Sequence, residues 1–171
     1  MHAFIDESQR SRYILTAVVL HPSDLSRVRS AMRKLVLPGQ ERIHFRTESD
    51  RQRRMIISGI ASLGVSAEIV TASGATESSR AACLHELVLR LSDLPVRTYL
   101  LESRDQSRDR GDRRTIFTAL SKAGCTARYD HALARQEPLL WLPDIIGWAH
   151  GHGGDWGRRV KPLMRSVTTL P

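Results

Sequence analysis

Three carboxylates stand apart from the other acids of this chain by where they fall. Asp6 ends the apolar opening run Ala3-Phe4-Ile5, Glu102 lies at the end of VRTYLLES (96–103), and Asp144 is the single charge between Glu137 and His150. An acid set among Leu139, Leu140, Trp141, Leu142, Ile145, Ile146 and Trp148 is costly to bury without a partner or a cation. The plainer account is that Asp144 caps the turn restarting after Pro143, or pairs with an arginine. Taken together, the three suggest more. Acids at the ends of adjacent strands come close to one another, and a following helix can lay a third beside them. Such a cluster repels itself unless cations neutralise it, and hard oxygen donors with open positions suit Mg²⁺ or Mn²⁺. Paired ions of that kind activate water and stabilise the leaving oxygen of a phosphodiester.

Other side chains offer weaker chemistry. His44, in RIHF (42–45), has apolar neighbours and either points into a cleft or is a satisfied structural residue, the commoner case. Asp130 and His131 are adjacent in TARYDHALA (126–134), so strand alternation lets at most one of them face a shared site. His131 precedes Asp144 by a strand end and a loop, a placement from which it would protonate a leaving group or assist product release. HGHGGD (150–155) brings together His150, His152 and Asp155, but two histidines on a glycine-rich backbone are better explained by a helix C-terminus followed by a glycine turn than by a metal. No G-x-S-x-G, P-loop or dinucleotide fingerprint is present, which disfavours covalent hydrolase and nucleotide-cradle chemistry. Cys83 and Cys125 fall in separate segments without metal-ligand spacing and read as buried thiols of a cytoplasmic protein.

The elements that must position these residues follow from pattern. Residues 3–6 and RYILTAVVL (12–20) are apolar runs joined by the hairpin-sized gap ESQRS, and the second is rich enough in Val, Ile, Leu and Thr for a central strand. Leu25, Val28, Met32 and Leu35 recur at helical spacing with Ser23 as N-cap. RIHF is too short to classify, and ESDRQRRMIISGIASLG forms a second helix ended by Gly64. VSAEIVTA (65–72) alternates as a strand. ESSRAACLHELVLRLSDL (77–94) is amphipathic, with Leu84, Leu87, Val88 and Leu91 on one face. VRTYLLES is a strand, a charged loop leads into the helix RRTIFTALSKAG, and TARYDHALA is the last strand. EPLLWLPDIIGWAHGHGG begins as a helix with Pro138 in its first turn, and Pro143 implies a kink or a double start. A final basic helix is expected near 155–165. Strands alternating with helices favour a three-layer α/β arrangement with a mixed sheet.

Composition narrows the partners. The chain has 171 residues, 41% of them hydrophobic, which suits one domain, 1–171, with a real core. Nothing approaches the ~18 consecutive apolar residues of a membrane helix, and acids by position six argue against a secretory signal. The formal charge is +8, from 26 Lys and Arg against 18 Asp and Glu, which favours polyanions, nucleic acid first. Only Lys34, Lys122 and Lys161 are lysines, an arginine bias that high-GC coding also produces. The clusters at 51–54 and 108–114 are interleaved with polar residues and acids, as a solvated helix face would be.

FIDES ahead of YILTAVVL resembles the start of the ribonuclease H-like family known as DUF 3800, whose opening motif reads roughly Y-I-D-E-S-G. PLLWLPDIIGWAHG resembles that family's late helix, where an aspartate precedes a short run of aliphatic and small residues. The resemblance implies a ribonuclease H-like fold, with a mixed, roughly five-stranded sheet flanked by helices and an acidic metal site on the central strands. It assigns Asp6 to the first-strand aspartate, Glu102 to the fourth-strand acid and Asp144 to the late-helix acid. It makes 23–63 an insertion between the second and third strands. Gln9 replaces the motif's glycine, and Glu102 stands where an aspartate is commoner. A further acid on the helix after the third strand would be Glu86 or Glu77, and Glu86 lies off the apolar stripe, as a surface residue would.

The function so implied is a metal-dependent nuclease or related phosphoryl-transfer enzyme. Asp6, Glu102 and Asp144 would be its catalytic and Mg²⁺- or Mn²⁺-binding residues, and Glu86, His44 and His131 its accessory candidates. Its partner would be RNA, DNA or a hybrid, held with low specificity. The alternative is a catalytically inactive module that binds nucleic acid or protein within a defence or mobile-element system. A third reading is a homo-oligomer joined through exposed Trp141, Trp148 and Trp156.

Overall fold

The computed structural model describes residues 1–9 and 12–171, with Gln9 described for its backbone alone. Arg10 and Ser11, the tip of the expected hairpin, and the Gln9 side chain lie outside the described residues. Strands β1 (His2–Gln9) and β2 (Arg12–Leu20) pair antiparallel, from His2 opposite Leu20 to Gln9 opposite Tyr13. Helices α1 (Leu25–Lys34) and α2 (Asp50–Ala61), with a loop and a short 3-10 turn (Phe45–Thr47) between them, precede β3 (Ser66–Ser73). The chain continues through α3 (Glu77–Leu91), β4 (Thr98–Glu102), α4 (Gln106–Lys122) and β5 (Arg128–Ala132). It closes with α5 (Trp141–His152), α6 (Gly154–Val160) and β6 (Met164–Thr169).

The strands form one sheet in the order β5-β4-β1-β2-β3-β6. β2 pairs antiparallel with both β1 and β3, while β1–β4, β4–β5 and β3–β6 are parallel. Side-chain alternation along the central strands feeds two cores. Phe4, Ile14, Val18 and Ile69 join one with residues of α1, α2, α5 and α6. Ala3, Ile5, Tyr13, Leu15 and Val70 join the other with α3 and α4. That double covering is why β2 reads as a continuous apolar run.

Four local expectations change. β1 runs on through Asp6 and Glu7 to Gln9, so Asp6 does not end its strand; what stops there is the parallel ladder to β4, whose last pair is Ile5 with Leu101. The expected basic helix near 155–165 stops at Val160, and residues 164–169 form a sixth strand against β3. This edge strand alternates between half-buried and exposed residues, so it shows no continuous apolar run. α4 starts at Gln106, ahead of the expected 113, because the Asp105 side chain accepts from the Ser107 and Arg108 amides. Ser23 does not cap α1: a 3-10 turn (Pro22–Asp24) comes first, and the His21 ring accepts from the Ser23 amide.

Pro143 does sit at a double start, a 3-10 turn (Pro138–Leu140) leading into α5. The three tryptophans are buried, with the Trp141 indole donating to the Ala134 carbonyl at 2.7 Å; this removes them as an exposed oligomer surface. Cys83 is buried as expected, but Cys125 is only partly so. Among the described residues no helix is long and apolar enough to cross a membrane.

Candidate functional site

The period-2 alternation of β1 separates its two acids. Phe4 packs on the α5 side and Ile5 on the α3–α4 side, so Asp6 follows Phe4 and Glu7 turns away. On β4 the same logic applies. Leu101 is buried against α3 and α4, so Glu102 emerges on the α5 side, just past the last β1–β4 pair. Helix α5 is pressed onto this surface at Gly147: a Cβ there would lie 2.7 Å from Thr16 Oγ1 and 3.6 Å from Ser8 Cβ. Thr16 is the cross-strand partner of Asp6, and Asp144 precedes Gly147 by three residues, on the same face of the helix. Asp6, Glu102 and Asp144 consequently line one cavity of about 260 Å³.

Like charges in a poorly hydrated place raise one another's proton affinity. Burial, then the charges of Glu102 and Asp144, push the Asp6 carboxyl well above the usual carboxylate range. Burial and Glu102 likewise raise Asp144, to about 7, with Arg42 pulling the other way. A divalent cation relieves that crowding, and the donor set consists of hard oxygens, so the residues fit Mg²⁺ or Mn²⁺. The trio is nonetheless an open arrangement. Among the described residues, the three metal-capable side chains whose donor atoms all lie within 4.8 Å of one another are Asp109, Asp112 and His131.

The loop before α2 forms the facing wall. Ile43 and Phe45 are buried while Arg42 is half-buried and His44 exposed, so RIHF alternates although it is not a strand. Arg42 Nη1 stands 3.5 Å from Glu102 Oε1, and its Nε donates to His44 Nε2 at 2.9 Å. His44 thus lines the cleft.

Glu7 borders the same cleft, as does Arg104, but its carboxylate enters a different assembly behind the sheet. Arg80 donates through Nε and Nη2 to the two oxygens of Asp112 at 2.8 and 2.7 Å, and through Nη1 to the Tyr13 hydroxyl at 2.9 Å and to Glu7. Arg104 reaches Glu77 at 2.7 Å and Asp112 at 3.3 Å. His131 Nε2 is 3.2 Å from Asp112 and 3.8 Å from Asp109. Burial raises the Asp112 carboxyl, but hydrogen bonds from Arg80 and His131, with the charges of Arg80 and Arg104, more than offset it and hold it below the usual carboxylate range. The Arg80 fork already occupies both Asp112 oxygens, so the compact Asp109–Asp112–His131 set is a node of an ion-pair network tying α3 and α4 to β1 and β5.

Several sequence candidates therefore fall outside the acidic cleft. His131 faces Asp112, and Glu86 pairs with Arg90 one turn along α3 at 2.8 Å. Glu77 serves Arg104 and Arg108, and Asp130 serves Arg113. In HGHGGD, His152 stacks on Trp148 with ring centroids 4.6 Å apart, and Asp155 binds Arg158 and Arg159. Sequence reasoning missed Arg42 and the Arg80–Asp112 pair. The second left a signal. Arg80 lies on the same stripe as Leu84, Leu87 and Leu91, and Asp112 on that of Ile116 and Ala119, all buried, so each helix carries one opposite charge on its apolar face.

No family model and no curated protein matches the chain. Among solved structures, it is similar to the ribonuclease HII of the PCNA:RNase HII complex from Archaeoglobus fulgidus, with a TM-score of 0.57 and 19% identity over 95% of this chain and 76% of that one. It also aligns with Thermus thermophilus RuvC at 11% identity over 99% of this chain and 84% of that one, but the TM-score of 0.34 is too low to carry an argument. The six-stranded mixed sheet between two helical layers, together with the first of these likenesses, gives the chain a ribonuclease H-like α/β fold.

Proposed function

We propose that this protein is a divalent-metal-dependent nuclease, of the DUF 3800 type that its opening and late-helix motifs resemble, acting on phosphodiesters in RNA, DNA or a hybrid. The observation that carries the reading is the shared cleft of Asp6, Glu102 and Asp144. It is built from two neighbouring strands and a helix, with Asp6 and Asp144 both raised by burial and by the charge of Glu102. Asp6 and Glu102 hold the cation from adjacent strands, and Asp144 completes the donor set from α5. Bound Mg²⁺ or Mn²⁺ supplies activation of water and stabilisation of the leaving oxygen. The chain acts as one unit in which 23–63 is an insertion, and the loop within it walls the cleft.

The excess of basic residues, +8 overall, holds the phosphodiester backbone by charge without reading bases. The test is an assay of end-labelled RNA, DNA and hybrid duplexes with Mg²⁺ or Mn²⁺, using wild type and Asp6→Asn. Cleavage by wild type alone supports the reading. Salt-sensitive binding that survives Asp6→Asn, with no cleavage by either protein, would identify a non-catalytic binding module instead.

A further inference from the structure

Arg42 belongs to two cavities at once. Beside the acidic cleft lies a second cavity of about 620 Å³, lined by Gln40, Arg42, His44, Leu133 and Arg135 among others, and Arg42, His44 and Glu102 border both. The guanidinium stands between them, with one nitrogen 3.5 Å from Glu102 Oε1. That contact is long and single rather than a bidentate fork, and the two side chains are 33% and 30% exposed. An ion pair of this kind is weak and easily exchanged. Its Nε donates to His44 Nε2, which orients the guanidinium without neutralising it. The larger cavity brings a second cation, Arg135, from beyond the end of β5.

Resting on the proposed metal-dependent reading, we infer that Arg42 is an exchangeable counterion and a positioning residue for substrate. In the cation-free cleft it partly neutralises Glu102. A divalent ion taking Glu102 displaces it toward the larger cavity, where with Arg135 it grips a phosphate of the strand flanking the scissile bond. Cation and arginine compete for one carboxylate, so filling the cleft frees the charge that receives the nucleic acid. A flanking phosphodiester suits this place because Arg42 and Arg135 both line it, against a single further acid, Glu41, and guanidinium groups favour phosphate oxygens.

Two measurements on wild type, Arg42→Ala and Arg42→Lys test this. The first is Mn²⁺ affinity by calorimetry. Arg42→Ala should bind Mn²⁺ several-fold more tightly than wild type, because the competing charge is gone, and Arg42→Lys should remain near wild type. The second is binding of a labelled oligonucleotide with Ca²⁺ present, as a function of salt. Arg42→Ala should bind several-fold more weakly, with the log–log salt slope reduced by about 0.7–0.9, the loss of one phosphate contact, and Arg42→Lys should recover most of it. Equal or weaker Mn²⁺ binding by Arg42→Ala overturns the counterion role, and an unchanged salt slope overturns the phosphate contact. If wild type binds no Mn²⁺ at all, the metal-dependent reading itself fails, a result distinct from either.

Discussion

Gly147 rests on Thr16: a Cβ on the glycine would come within 2.7 Å of the threonine hydroxyl. Thr16 is the cross-strand partner of Asp6, and Asp144 lies three residues before Gly147, so this contact sets the distance between the helix acid and the strand acid. Gly147→Ala should force α5 outward, with an overpacking cost of about 1–3 kcal/mol. Thr16→Ala removes the opposing atom, a buried hydroxyl with no hydrogen-bond partner among the described residues, and should be nearly neutral. A double-mutant cycle by urea unfolding checks the pairing: the Gly147→Ala penalty should shrink in the Thr16→Ala background.

The crowded carboxylates should make the cation-free protein less stable as pH rises. Asp6 is held well above its ordinary value, and Asp144 is raised to about 7. A group whose folded-state pKa is raised contributes stability that is complete below its unfolded value, about 3.9 for aspartate, and is lost as pH climbs through the folded value. Melting in EDTA should show Asp144→Asn becoming progressively more stable relative to wild type between about pH 4 and pH 7. Asp112 acts with the opposite sign at lower pH, since its pKa is depressed, and that contribution cancels in the comparison. Mn²⁺ at a hundred times its dissociation constant should restore about 2.7 kcal/mol to wild type at neutral pH.

The Arg80–Asp112 pair should matter first for the fold. Both side chains are almost wholly buried, so Asp112→Ala leaves Arg80 with Glu7 as its one remaining charged partner among the described residues and should cost about 3–5 kcal/mol. Glu86→Gln, which breaks only a surface pair with Arg90, should cost less than about 0.5 kcal/mol. Thermal unfolding of the two variants separates these roles, and Glu86→Gln should leave Mn²⁺ affinity unaltered.

Glu102 tests reach. Glu102→Asp keeps the charge but withdraws the carboxylate by one methylene, and a displacement on the order of 1 Å at a reacting centre costs about 10²-fold. Glu102→Gln keeps the length and loses the charge. If Glu102 is a ligand, both variants should lose turnover, with Mn²⁺ affinity falling further in the glutamine variant.

What the sequence revealed followed from periodicity. Alternation from Ala3 to Glu7 puts the Asp6 and Glu7 side chains on opposite faces of β1, although both border the cleft, and the lone charge in LLWLPDIIGW marks Asp144 because nothing else there is polar. Periodicity failed where charge or edge position hid it. β6 is one-sided and short, and the first turns of α4 carry acids and arginines whose partners lie far off in the chain. The Arg42–Glu102 contact spans sixty residues, and no local pattern encodes such a meeting. Asp6 was read as a strand end because the apolar run stopped; in fact the strand continues, and it is the neighbouring ladder that stops.

The most direct measurement of the central claim is strand cleavage by purified wild type and by folded Asp6→Asn, each with Mg²⁺ or Mn²⁺ and each with EDTA. The account predicts scission by wild type with the cation only, and none by Asp6→Asn whose circular dichroism and melting show an intact fold. Equal cleavage by Asp6→Asn, cleavage in EDTA, or no cleavage of RNA, DNA or hybrid by cation-loaded wild type would contradict it.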